Sequence, residues 1–150
     1  MTLTWHRSFG PGLVVAGLLL AGCVTPATGA DSYQDKASTS VRAAASEVAS
    51  AQLTVGLVRR DRIQQAYADE TVTASETALG AIGNAFGSVQ PPAGGDKLRD
   101  AVTKLISDAE DAVAHARIAV RRGDPRALAD AAQELAKSAS DLSKAQRALS

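Results

Sequence analysis

From about residue 32 the chain carries a helical spacing of apolar residues. Val41, Ala44, Val48, Ala51, Val55 and Val58 recur at alternating steps of three and four, a heptad-like seam along one face of a helix. Arg59-Arg60-Asp61-Arg62 interrupts the seam, and Ile63, Tyr67, Ala74, Ala78, Ile82 and Phe86 resume it, mostly at i+4. No proline falls between residues 32 and 88. The pattern predicts one long helix, or two collinear ones, over about 32–88. Gly56 and Thr71-Val72-Thr73 are the candidate breaks. Thr73-Ala74-Ser75-Glu76 has the spacing of a capping box, a threonine followed three residues on by a glutamate.

Val89 to Gly95 (VQPPAGG) holds two prolines and two glycines and ends this helical stretch. Asp96 then reads as an N-cap. Leu98, Val102, Leu105, Ala109, Ala112, Ala116 and Val120 form the stripe of a helix over about 97–122. Arg121-Arg122-Gly123 suits a helix end, with cations on the dipole's negative pole and a glycine for the left-handed C′ position. Asp124-Pro125 supplies the next N-cap and first helical residue. In the last helix, about 125–149, Leu128, Leu135, Leu142 and Leu149 repeat every seven residues. Ala131, Ala132, Ser138, Ala139 and Ala145 fill the positions between them. A connection as short as Gly123-Asp124 makes the last two helices an antiparallel hairpin. The fold class is therefore all-α: an alanine-rich bundle of three helices, or four if the first one breaks.

Length raises a question that pattern does not answer. At 1.5 Å per residue the first stretch would run about 85 Å against about 40 Å for each helix of the hairpin. If it is unbroken, the hairpin covers Ile63–Phe86, and the Val41–Val58 stripe (Val41, Ala44, Val48, Ala51, Val55, Val58) is left open. An open apolar stripe is an interaction surface for a second copy or a helical partner. If the helix bends near 71–73, its first half folds back and the stripe becomes core.

The first 31 residues are of a different kind. Met1 to Ser8 is polar with one fixed cation, Arg7, and Leu13 to Gly22 is uncharged and apolar. This is the charged start, short apolar core and small-residue end of a secretory signal, well short of the ~20 residues of a spanning helix. It closes on Leu20-Ala21-Gly22-Cys23, which contains the only cysteine of the chain. The tetrapeptide resembles the lipobox of bacterial lipoproteins. The resemblance implies cleavage between Gly22 and Cys23 and lipidation of the Cys23 sulfur. The acyl chains would then hold the protein to a membrane on the extracytoplasmic side. Residues 23–31, small and mostly uncharged with Pro26 and Gly29, then read as a flexible tether to a helical domain over 32–150.

Composition narrows the function further. Lysine plus arginine equals aspartate plus glutamate at 16 each, which argues against a nucleic-acid binder. Arginine outnumbers lysine 11 to 5, a bias of GC-rich bacteria such as actinobacteria. Aromatics are 3% of the residues, too few for a large aromatic-lined pocket. His115 shares a helix face with Asp108 and Asp111, but has no third or fourth donor in sequence for a metal. The serines sit in helical stretches without a G-x-S-x-G elbow. The adjacent carboxylates Asp69-Glu70 and Glu110-Asp111 point about 100° apart on a helix. The basic runs Arg59-Arg60-Arg62 and Arg121-Arg122 read as solvated faces paired with Asp61 and Asp124, or as contacts for an anionic partner. The expectation is a non-enzymatic envelope lipoprotein without cofactor, acting through helical contacts. A small-molecule or metal-binding accessory lipoprotein is the second reading.

Overall fold

The computed structural model describes residues 29–150, and these form four helices. They are α1 (Ala30–Val58), α2 (Gln65–Gly87), α3 (Asp96–Arg122) and α4 (Pro125–Leu149). The signal, Cys23 and most of the expected tether lie outside the described residues. Ala30 and Asp31, placed in that tether by sequence, already belong to α1. None of the described helices is long and apolar enough to cross a membrane.

The 32–88 stretch is not one helix. It reverses at residues 59–64, within the arginine run, rather than at Gly56 or 71–73. The local cause is a Schellman closure of α1: Arg62 N–H donates to the Leu57 carbonyl at 3.0 Å and Asp61 N–H to Val58 at 3.0 Å. Asp61 takes the left-handed C′ position at φ 52°, where glycine is usual and aspartate tolerated. The reversal also resets the helical phase. The expected seam residue Tyr67 is 65% exposed, whereas Ala68, Val72, Ser75, Leu79 and Phe86 face inward. Thr73-Ala74-Ser75-Glu76 starts no helix, because α2 runs through it.

The remaining boundaries follow their local signals. Gly123 ends α3 at φ 63°, and the Asp124 carboxylate accepts from Arg126 N–H at 2.8 Å while Pro125 opens α4. At the other connection the helix begins at Asp96, with Gly95 rather than Asp96 as N-cap.

Each helix packs antiparallel on its sequence neighbour and α4 closes on α1, an up-down-up-down bundle. The α1–α3 diagonal is the narrow one; α2 and α4 make no close approach. Alanines explain this asymmetry: Ala37, Ala44 and Ala51 of α1 and Ala109, Ala116 and Ala119 of α3 are all buried. Small side chains let those two backbones draw together across the centre. Leu79, Ile106, Val113, Leu135 and Leu142 fill the remaining core. At one end Tyr33 of α1 stacks at 5.5 Å on Phe86 of α2, and Gln34 reaches the Leu149 carbonyl at 3.5 Å. The start of α1 and the end of α4 therefore share that end. The 59–64 reversal and the α3–α4 turn share the other.

Candidate functional site

Of the residues singled out by sequence, Gly22 and Cys23 lie outside the described region. The Val41–Val58 stripe is not an open surface. Val41, Ala44, Val48, Ala51 and Val55 are fully buried within the same chain, and Val58 packs partly against the core. The fold-back that exposes the arginine turn is what covers them.

His115 lies in a shallow groove of about 220 Å³ between α3 and α4, lined also by Asp108, Asp111, Glu134, Lys137 and Asp141. Its Nδ1 meets Glu134 Oε2 at 2.8 Å, a contact across the two helices. Two of the neighbouring carboxylates, Asp108 and Asp141, are taken up by lysines. Lys104 holds both oxygens of Asp108 at 2.7 and 2.8 Å. Asp141 sits between Lys144 and Lys137 at 2.9 and 3.0 Å. Those bonds, from Lys144 first, hold the Asp141 carboxyl below its ordinary range. Among the described residues no group of three or more side chains is placed to hold a metal ion. Of these contacts only His115–Glu134 joins α3 to α4; the lysine pairs each lie within one helix.

The outer seam between α2 and α3 carries a pairing that sequence did not indicate. Glu76, read as half of a capping box, instead meets the guanidinium of Arg117 through both carboxylate oxygens. Its hydrogen bond is the main reason the Arg117 pKa is raised further. One turn along, Arg121 Nε donates to Asp69 at 2.7 Å. Further along the same seam the helices are in van der Waals contact: a Cβ at Gly80 would sit 3.3 Å from Glu110 Oε1 and one at Gly83 3.4 Å from Ile106 Cγ2. Spacing alone could not find these pairs, since 41 residues separate Glu76 from Arg117.

The largest change concerns the two basic runs. In sequence they are some sixty residues apart; in the fold they cap the same end of the bundle. Gln65, first residue of α2, ties the two loops together. Its side-chain amide donates to the Val120 and Arg121 carbonyls at 2.8 and 2.9 Å, satisfying the last turn of α3. Arg59, Arg60, Arg62, Arg121, Arg122 and Arg126 are all exposed there. The expected local pairing with Asp61 and Asp124 does not occur: Arg121 pairs with Asp69 and the Asp124 carboxylate caps α4. Among the described residues the other five arginines make no ion pair. Between the loops lies a cleft of about 520 Å³ with Val58, Ile63, Val120 and Leu128 in its walls.

Comparison of the chain with protein-family models, with curated proteins and with solved structures gives no match.

Proposed function

We propose that the chain is a lipid-anchored protein of the bacterial cell envelope whose helical bundle works by non-covalent contact rather than by catalysis. The observation that carries this reading is Cys23, the only cysteine, placed as the last residue of Leu20-Ala21-Gly22-Cys23 behind a short charged and apolar leader. Two or more acyl chains give stable attachment without help from a basic patch, and no basic patch follows Cys23.

The fold is compatible with that role. Helix α1 begins at Ala30, so the stretch from Cys23 to it, six intervening residues, spans at most about 25 Å. An anchor at Cys23 would keep the Tyr33–Phe86 end near the membrane. The arginine end would then stand off by the length of α1, 29 residues or about 43 Å. Contacts with partners fall to the outer faces and the two ends, because the Val41–Val55 stripe is core.

The test is to express the full chain in a bacterial host fed an alkyne fatty acid. The wild-type chain is expected to take up the label and fractionate with membranes. Cys23→Ser is expected to lose the label and leave that fraction. Equal labelling of the two chains would refute the anchor.

A further inference from the structure

We propose that the arginine-bearing end of the bundle is a docking surface for an acidic segment of a protein partner, with carboxylates on the arginines and an apolar side chain in the cleft between the loops. This names the partner class within the contact role above. It rests on that reading for the direction in which the end points.

Charge comes first. Residues 58–65 and 120–126 carry six arginines against two aspartates, although the whole chain is neutral. The nearest acids beyond them are Asp69, already bound to Arg121, and Glu70 and Asp130 on the flanks. No lysine occurs in either segment. Guanidinium groups, planar and forked, bind carboxylates in pairs of hydrogen bonds, which a mobile ammonium does not. Rigidity comes second. Three of the arginines flank the Schellman turn at Asp61, three flank the Gly123-Asp124 turn, and Gln65 bonds the start of α2 to the last turn of α3. The backbone that carries these arginines therefore loses little freedom when a partner seats.

The cleft separates an acidic protein from other anions. Val58 and Ile63, both part-exposed, stand in its wall over the buried Val120 and Leu128 and beside Arg59, Asp61 and Gln65; a bare phosphate polymer would leave that apolar portion unused, whereas a peptide side chain would cover it. The surface of the anchoring membrane is disfavoured by direction, since the arginines lie at the opposite end from Ala30.

The experiment uses the full chain in nonionic detergent, with a fluorescent random copolymer of glutamate and tyrosine as probe. Polyglutamate, polyphosphate and phosphatidylglycerol vesicles are the competitors. The copolymer is expected to bind more tightly than polyglutamate and to weaken as salt rises. Arg59→Gln/Arg60→Gln/Arg62→Gln should lower affinity about tenfold, as should Arg122→Gln/Arg126→Gln. Lys137→Gln/Lys144→Gln, on the side of the bundle, should change it by less than about twofold, with helicity checked for every variant. Binding by the arginine variants equal to wild type would overturn the proposal. So would polyphosphate or the vesicles displacing the probe more strongly than polyglutamate does. Cys23→Ser is expected to bind the copolymer like wild type, so failure of the anchor and failure of the docking surface are read separately.

Discussion

Arg117 of α3 lays its guanidinium along the carboxylate of Glu76 in α2, with Nη2 3.2 Å from Oε1 and Nε on Oε2. The two side chains are only 23% and 25% exposed. That places the pair between an exposed ion pair, worth about 1 kcal/mol or less, and a buried one, whose loss of one partner costs about 3–5 kcal/mol. Arg117→Ala and Glu76→Ala should each lower stability by about 1–2 kcal/mol in urea unfolding. The double variant should cost less than the sum, since neither charge is then stranded. Strict additivity would mean that the contact contributes nothing.

Val48 is fully buried, so Val48→Asp places an unpaired carboxylate in the core. The expected result is loss of far-UV helicity, a cost above about 4 kcal/mol. A helical Val48→Asp chain that melts like wild type and differs only in oligomeric state would show the stripe to be a surface after all.

Two positions in left-handed backbone should respond in opposite directions. Asp61→Gly relieves the Cβ at φ 52° and should raise stability by about 0.5–1 kcal/mol. Gly123→Ala introduces one at φ 63° and should lower it by about 1 kcal/mol. Thermal unfolding of the two variants beside wild type is sufficient, and the same sign for both would contradict the assigned turns.

The Tyr33 hydroxyl is buried and finds no hydrogen-bond partner. Tyr33→Phe keeps the stack on Phe86, removes the stranded group and should hold or raise stability by up to about 1 kcal/mol. Burial pushes the phenol above its ordinary 10.0. Its neutral form is therefore favoured by folding, and that stability is present below pH 10.0 and lost as pH rises through the raised value. In alkaline melting the advantage of Tyr33→Phe should grow with pH; a constant difference would place the phenol in water.

Asp141 gives the acid-side counterpart. Its carboxyl is held below the ordinary 3.8 by Lys144 and Lys137. The stability it adds is present above pH 3.8 and disappears as pH falls through the lowered value. The melting temperatures of wild type and Asp141→Asn should converge in that range. Convergence well above it would mean that the lysines do not hold the carboxylate.

Much of the fold was legible in the residues because it depends on neighbours along the chain. Gly123, Asp124 and Pro125 specify a helix end, a cap and a restart within three positions, and the structure has all three. The proline–glycine run at 89–95 breaks the chain where expected. The leucines at 128, 135 and 142 line the core at the spacing of a helix face. Each signal acts within one or two turns, so no tertiary contact was needed to read it.

The reversal at 59–64 was different. Arginine is a good helix former, and no glycine or proline marks the turn. What decides it is the burial of Tyr33, Val41, Val48 and Val55 against the other helices, a gain realised only once those helices are in place. That burial offsets the strain of one aspartate in left-handed backbone. The same fold-back set the phase of α2, took the valine stripe out of reach of partners and gathered two distant arginine runs at one end. By itself the sequence determined that the chain is helical and where most helices stop, because those are local properties of backbone and side chain. Only the tertiary structure decided which face is core and which charges stand together, because both depend on distances between residues far apart in the chain.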